Sequence, residues 1–173
     1  MSGSFTRQTQ STPKKIGIIA EDTYAVKFLE GIIKRLNDAK IIPQEIKIIR
    51  SRSTYGVGNV CSAKTRRIID AWEDEVDKIL LFMDADGMPI EDKIKECKKI
   101  IGDSQKVKPI IFEQEIEEWI TKSTQQKPSE ELKTTERYEK YMLPNYVSRI
   151  KPDDPKLMNL RSFKGFLNAL NDP

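Results

Sequence analysis

Three continuous apolar runs of this chain each end in carboxylates. These acids are Glu21 and Asp22 after KKIGIIA, Asp84 and Asp86 in KILLFMDADG, and Glu113, Glu115 and Glu117 in KVKPIIFEQEIEEW. A continuous apolar run between helical stretches is typical of a strand in a parallel sheet, buried on both faces. Because parallel strands end at one edge, where open α/β sheets bind ligands, these distant acids are expected to meet. Crowded carboxylates resist ionising together unless a cation lies among them, so the simplest physical interpretation is a magnesium site.

The composition excludes several classes of function. The chain has 173 residues, which favours one domain, and its net charge of +3 says little about its partners. It has no histidine, so triads and zinc sites that depend on histidine are excluded. Cys61 and Cys97 are too few to suggest a disulfide framework. Since no membrane-spanning segment or secretory signal is found, we expect a cytoplasmic protein with no membrane association.

The chain divides into three regions. We predict a disordered Ser/Thr/Gln-rich tail at 1–12, an α/β domain at 13–124, and an extension at 125–173 that packs on the same domain. The predicted strands are 14–21, 45–49, 78–84 and 107–112. Helical patterns alternate with them, the first after an N-cap at Thr23 and the last at about 162–170. This order predicts an α/β fold: a four-stranded parallel Rossmann-like sheet flanked by helices, with a helical C-terminal extension.

Basic side chains are expected near the same edge of the sheet. They follow the second strand, in the RSRSTYGVGN loop and on the next helix: Arg50, Arg52, Lys64, Arg66 and Arg67. A basic rim beside a bound cation would hold a nucleic acid by its phosphates, and Tyr55 could stack on a base. The alternative for the three helical residues is an ordinary solvated face.

The position of the acids separates several α/β families. A GxGxxG dinucleotide fingerprint and a GxxxxGK[ST] phosphate loop are both absent. Phosphatases of the haloacid dehalogenase type carry DxD on the first strand, whereas here DxD follows the third. A phospho-accepting receiver domain has an acid pair after its first strand and an Asp after its third, which Glu21, Asp22 and Asp84 fit loosely. It stays a minor alternative, because a receiver would not need Asp86 or the acids of EIEEW.

A Glu after the first strand, DxD after the third and an acidic segment after the fourth resemble the Toprim domain. Within that family the chain is most similar to small stand-alone proteins related to the overcoming-lysogenization-defect nucleases. EDTYAVKFL resembles their EGxTExxFL, DADG matches DxDG, and EIEEW resembles EIEAW. The resemblance covers residues 14–123. The chain departs from the pattern at Asp22, which replaces a glycine, and at Ala25, which replaces the second acid.

This resemblance implies a Mg²⁺ or Mn²⁺ site with Asp84 and Asp86 as ligands and with Glu21 as general acid or base or as a further ligand. If the acid missing at Ala25 helps to bind a second metal in relatives, we expect one metal here, or a rearranged pair in which Glu115 or Asp22 is a ligand. Asp22 and Glu117 are otherwise expected as supporting or alternative ligands. Mg²⁺ prefers such oxygens, and it could orient a phosphodiester and activate water. On an extended strand end, Asp84 and Asp86 would point to one face, and Gly87 would allow the chain to turn.

Each acid also has a structural alternative: a turn residue at Glu21, a helix-start residue at Asp22, caps of the next helix at Asp84 and Asp86, or first-turn acids favoured by the helix dipole at Glu115 and Glu117. Trp119 is expected to pack in the core, and Glu118 is expected to be solvated.

Two functions are compatible with these features. The first is a metal-dependent nucleic-acid phosphodiesterase, a small Toprim nuclease acting on RNA or DNA. The second, suggested by Ala25, is a non-catalytic Toprim module that binds nucleic acid as an accessory subunit of a processing or defence complex. A topoisomerase or a primase would need further domains, for which 173 residues leave no room.

Overall fold

Four parallel strands form one sheet in the computed structural model, which describes residues 12–42, 44–54 and 59–172. They are β1 (Lys14–Ala20), β2 (Ile46–Ser53), β3 (Lys78–Asp84) and β4 (Val107–Phe112). The strand order is β2-β1-β3-β4, and every pairing is parallel. Most residues of the central strands β1 and β3 are buried, which is why their sequences are uninterrupted apolar runs.

Helices surround this sheet in the described part of the chain. They are α1 (Thr23–Asp38), α2 (Ala63–Trp72), α3 (Ile90–Ile101), α4 (Glu118–Thr121), α5 (Pro128–Glu136), α6 (Pro155–Met158) and α7 (Arg161–Asn171). A 3₁₀ segment, Lys140–Arg149, lies between α5 and α6. The predicted fold class, a four-stranded parallel α/β sheet with flanking helices and a helical C-terminal extension, is therefore confirmed.

The structure corrects three predicted boundaries. The N-cap of α1 is Asp22 instead of Thr23, because the Asp22 carboxylate accepts a hydrogen bond from the third residue of the helix at 2.7 Å. The fourth helical pattern, predicted to begin at 115–122, is reduced to α4, which ends where Lys122 has a left-handed φ of 60°. β2 continues to Ser53 although its apolar run ends at Ile49, because the backbone ladder with β1 continues along this exposed edge strand.

Two hydrophobic cores lie on opposite faces of the sheet. α1 and the C-terminal extension cover one face, while α2 and α3 cover the other. In the first core Trp119 is fully buried, as expected, and packs edge-to-face on Phe112 and Phe163 with ring centroids 5.1 Å apart. In the second core the ring of Trp72 covers Gly17, where an added Cβ would lie only 2.8 Å away.

A disulfide joins Cys61, directly before the N-cap of α2, to Cys97 in α3. Their Cα atoms lie 5.0 Å apart, within the range that a disulfide requires. The number of cysteines does not predict this bond, because the two residues are 36 positions apart and only the packing of α2 on α3 brings them together.

Candidate functional site

The carboxyl ends of β1 and β3 form a small pocket with an acidic side and an apolar side. Glu21 and Asp22 line it from the turn after β1, and Asp84 lines it from the last position of β3. The apolar side consists of Ala20, Ala25, Phe82, Phe112 and Ile116. The structure thus brings together acids from two distant parts of the sequence, at the edge where ligands bind in open α/β sheets.

The DADG motif forms a tight turn instead of continuing β3. Asp86 has a left-handed φ of 50°, followed by Gly87 with a φ of 82°. Backbone hydrogen bonds hold the turn to the segment after β4: Gly87 N–H donates to Glu113 O at 3.0 Å, and Asp86 N–H donates to Gln114 O at 3.3 Å. Asp86 is exposed while Asp84 is partly buried, so the expectation of an extended motif is wrong. Left-handed backbone at a non-glycine residue is strained, and such strain is frequent at functional sites.

Lys140, from the C-terminal extension, also lines the pocket. Its Nζ lies 2.7 Å from Glu117 Oε1 and 3.9 Å from Asp22 Oδ2. Burial by itself lowers the pKa of this ammonium, but the Glu117 and Asp22 carboxylates outweigh burial and hold the pKa above its usual value. The site therefore contains a fixed positive charge. No pattern in the sequence predicts Lys140 as a site residue, because the polar segment around it has no periodicity that would place it near the strand ends.

Glu117 is buried next to Lys140, with only 1% of its surface exposed. Its Oε1 also accepts a hydrogen bond from the Tyr138 hydroxyl at 3.4 Å, and burial followed by the Glu117 charge raises the pKa of Tyr138. Glu117 Oε2 has no hydrogen-bond partner among the described residues. A buried carboxylate oxygen without a partner is costly, so it calls for a donor or a cation.

Glu21 and Asp84 lie in surroundings that disfavour their ionised forms. Burial is the main cause of the raised pKa of Asp84, and the charge of Glu21 raises it further. Burial is also the main cause of the raised pKa of Glu21, which the Asp84 backbone opposes. The Lys140 ammonium opposes both shifts without cancelling them. Perturbed carboxyl groups in a pocket are typical of sites for proton transfer or metal binding.

Glu115 has a capping role in the structure. Its Oε1 accepts hydrogen bonds from Ser129 N–H at 2.8 Å and from the Ser129 hydroxyl at 2.5 Å. These contacts satisfy a backbone amide in the first turn of α5, which has no partner within the helix. Glu115 therefore has a structural role at a helix N-terminus, as its structural alternative predicts. The helix is α5, however, and not α4, the helix that begins within EIEEW.

The prediction that Glu118 is solvated is wrong. Glu118 is fully buried, and its carboxylate accepts hydrogen bonds from Gln114 N–H at 2.9 Å and from the Ser162 hydroxyl at 2.7 Å. Ser162 Oγ in turn accepts the indole N–H of Trp119 at 2.9 Å. Burial raises the pKa of Glu118 despite these bonds. The network joins α4 to α7, a contact that becomes visible only when the extension is placed.

The two arginines of β2 differ in their surroundings. Arg52 lies near the carboxyl end of the strand, whereas Arg50 lies in its middle, after a register shift in the ladder. Arg50 Nε forms an ion pair with Glu75 at 2.7 Å. Arg52 is therefore better placed than Arg50 to contact a ligand at the strand ends.

The remaining basic residues lie on α2, on the face of the sheet opposite α1. Arg66 and Arg67 are exposed and Lys64 is half-buried. Arg66 Nη1 donates to Ile100 O at 3.5 Å, which places this side chain against α3. Tyr55 lies outside the described residues, as does most of the tail predicted at 1–12.

No set of three or more Asp, Glu, Cys or His side chains within the ranges 12–42, 44–54 and 59–172 is arranged to hold a metal ion. The pocket offers the carboxylates of Glu21 and Asp84, and Mg²⁺ is commonly bound by one or two carboxylates together with waters and phosphate oxygens. The predicted Mg²⁺ or Mn²⁺ site stays a prediction.

Comparison with known proteins found no matching family model, no matching curated protein and no matching solved structure. The Toprim resemblance therefore stays a prediction that depends on the three motifs. None of the helices in the described part of the chain combines the length and apolar character needed to cross a bilayer.

Proposed function

We propose that this chain is a metal-dependent phosphodiesterase that cleaves RNA or DNA and resembles the small Toprim nucleases. The observation that carries the proposal is the pocket at the carboxyl ends of β1 and β3, where Glu21, Asp84 and Lys140 meet. Two acids with raised pKa and one lysine side chain in a single pocket provide a proton carrier, a cation ligand and a contact for phosphate.

Mg²⁺ or Mn²⁺ is the cofactor that suits these residues, because all candidate ligands are carboxylate oxygens. Asp84 would hold the ion from within the pocket and Asp86 from the exposed turn, which leaves Glu21 free to transfer a proton. The unpartnered Glu117 Oε2 supports the presence of a cation or of its bound water close by. When bound, the ion would polarise a phosphate oxygen and lower the pKa of a water molecule.

Glu21 is the residue placed to transfer a proton. Its raised pKa brings its proton affinity closer to neutral pH, where a general acid or base is most effective. Lys140 would donate to a phosphate oxygen, and its charge offsets the carboxylates that would otherwise repel a polyanion. Arg52 and Arg67 would add contacts to phosphates that do not depend on base sequence.

Cleavage of labelled single-stranded RNA and DNA tests the proposal directly. We expect cleavage with Mg²⁺ or Mn²⁺ and none with a chelator. Asp84→Asn and Glu21→Gln should each lower the rate at least about 100-fold, a typical contribution of a catalytic acid or base. Asp70→Asn, at an exposed position of α2, is the matched control and should keep full activity. If Asp84→Asn and Asp70→Asn cleave equally well, the activity does not come from this pocket.

The alternative function is a non-catalytic module that binds nucleic acid as part of a processing or defence complex. Ala25 favours it, since this small side chain lines the pocket where the Toprim motif has its second acid. The alternative predicts binding that weakens with salt and with Arg52→Ser, and no cleavage with either metal. Cleavage that survives further purification and is lost in Asp84→Asn would exclude it.

A further inference from the structure

Cys61 and Cys97 are the only cysteines of the chain, and the fold places them in contact. Both are nearly fully buried in the core between the sheet and the helices α2 and α3, with 5% and 2% of their surfaces exposed. Cys61 Sγ also lies 3.5 Å from Met83 Sδ, and Met83 is the residue directly before Asp84. The two cysteines therefore pack in the second core, next to Met83 of β3, the strand that carries Asp84.

The disulfide joins two helical elements that are otherwise held together by side-chain packing and by the Arg66–Ile100 hydrogen bond. Cys61 ends the connection from β2 and directly precedes Ser62, the N-cap of α2. Cys97 lies in the middle of α3, on its buried face. Because α2 carries Arg66 and Arg67, the bond fixes the start of a basic helix relative to its neighbour.

We propose that the Cys61–Cys97 disulfide is a reversible crosslink, so that the redox state of the protein controls how firmly α2 is held on α3. The oxidised form fixes α2 and the end of the connection from β2. The reduced form keeps the fold, because two buried thiols still pack as small apolar groups, but it allows α2 to open more often. The oxidised form also holds the basic residues of α2 in position to bind a nucleic acid, and this part of the inference rests on the proposed function.

Thiol–disulfide exchange with a low-molecular-weight disulfide, such as oxidised glutathione, accounts for the chemistry. One cysteine thiolate attacks the glutathione disulfide, forms a mixed disulfide and releases one glutathione thiolate. The second cysteine thiolate then attacks the protein sulfur of the mixed disulfide, which forms the Cys61–Cys97 bond and releases the second glutathione thiolate. The two protons lost by the cysteines are taken up by the two glutathione thiolates. A dithiol reductant breaks the Cys61–Cys97 bond through a mixed disulfide, which returns two cysteine thiols and leaves the reductant oxidised to its own disulfide.

Thiol counting and melting test the crosslink without any substrate. The full chain is equilibrated with oxidised glutathione or with a dithiol, and free thiols are alkylated and counted by mass spectrometry. We expect no free thiols in the oxidised wild type and two in the reduced form. Oxidation should raise the melting temperature by roughly 10 °C, as expected for a loop of this length in a domain of this size.

Cys61→Ala and Cys97→Ala are the matched controls, since each removes the bond in a different element. Each variant is compared with itself in the two redox states, so any packing defect cancels. Neither should show the redox-dependent melting shift, and the slowing of hydrogen exchange in α2 on oxidation should be confined to the wild type. The proposed crosslink would be overturned by two free thiols in the oxidised wild type, or by a redox-dependent melting shift in both variants that equals the shift of the wild type.

Binding of a labelled single-stranded oligonucleotide tests the control of the basic helix. We expect the oxidised wild type to bind about threefold more tightly than the reduced form, because fewer side chains must be ordered on binding. Equal affinity in the two redox states would overturn this control while leaving the crosslink. Absence of binding in both states, with the melting shift intact, would instead count against the proposed function.

Discussion

Two carboxylates in the strand-end pocket, Glu21 and Asp84, have surroundings that favour their neutral forms. A carboxyl group whose pKa is raised by folding binds its proton more tightly in the folded chain than in the unfolded chain. Its favourable contribution to stability is complete at low pH and is lost as the pH rises from the ordinary carboxyl range through the raised pKa. The pocket is therefore expected to cost stability at neutral pH when no cation is bound.

Asp84→Asn should make the metal-free protein more stable at neutral pH. Removing a buried charge beside Glu21 should raise the free energy of unfolding by about 0.5–2 kcal/mol, which is the usual gain from a single stabilising substitution. The gain should vanish below about pH 4, where carboxyl groups are protonated in both states. Urea unfolding with a chelator at several pH values measures it, and Asp70→Asn should show no such gain. A loss of stability at neutral pH would show that the Asp84 charge is well compensated.

Lys140 and Glu117 should be coupled, because Glu117 is buried and its nearest charged partner is the Lys140 ammonium, 2.7 Å away. Lys140→Met leaves the Glu117 charge uncompensated and should lower the free energy of unfolding by about 1–3 kcal/mol. This loss is smaller than the loss expected for a fully buried pair, because 38% of the Lys140 side chain is exposed to screening water.

A double-mutant cycle with Glu117→Gln isolates this coupling. In the Glu117→Gln background, Lys140→Met should cost much less, which gives a coupling energy of about 1–2 kcal/mol. Additive effects of the two substitutions would mean that the ion pair contributes nothing to stability.

At the level of secondary structure, α1 connects the site to the C-terminal extension. Its N-cap, Asp22, lines the pocket, and the helix packs along the 3₁₀ segment Lys140–Arg149, which supplies Lys140. The contact is close at Gly31, where an added Cβ would lie 2.7 Å from Val147 Cγ2. A glycine in the middle of a helix is unfavourable by itself, so this one is explained by the approach of the 3₁₀ segment.

Gly31→Ala should therefore destabilise the protein although alanine favours helix formation. Overpacking against the stiff Val147 side chain should exceed the helical gain, for a net loss of about 1–2 kcal/mol. In a Val147→Ala background the same substitution should be neutral or stabilising, because the space is then free. Thermal melts of the two single variants and the double variant measure both effects. A stabilising Gly31→Ala in the wild type would mean that α1 and the 3₁₀ segment lie further apart.

For the whole molecule, the C-terminal extension completes the core of the α/β domain. Phe163 and Phe166 of α7 are fully buried, and both pack on Trp119 with ring centroids 5.1 and 5.0 Å apart. Phe166 also packs on Phe82 of β3, at 5.9 Å. Because the extension also carries Lys140, it supplies the lysine that lines the pocket.

Phe166→Ala should test whether sheet and extension unfold together. Truncating this fully buried ring should lower the free energy of unfolding by about 3–5 kcal/mol. Met158→Ala, at an exposed position of α6, is the control and should change it by less than about 1 kcal/mol. The near-UV circular dichroism of the aromatic side chains and the far-UV helix signal should be lost at the same temperature as each other within each variant. Separate transitions would show that the extension is an independent unit.

The periodicity of apolar residues and the acids after each run were sufficient to predict the fold class and the meeting of Glu21 with Asp84. Both follow from local rules: buried parallel strands need continuous apolar runs, and parallel strands end at one edge. The same rules place Arg52 near that edge.

Contacts between distant segments were decided only in three dimensions. Lys140 in the pocket, the burial of Glu118 under Ser162, and the Cys61–Cys97 bond all join segments whose sequences carry no signal of one another. The left-handed turn at Asp86 likewise depends on backbone hydrogen bonds from the segment after β4. The physical reason is that burial and pairing belong to the packed chain: a charged residue is predicted to be solvated until the tertiary structure supplies its partner.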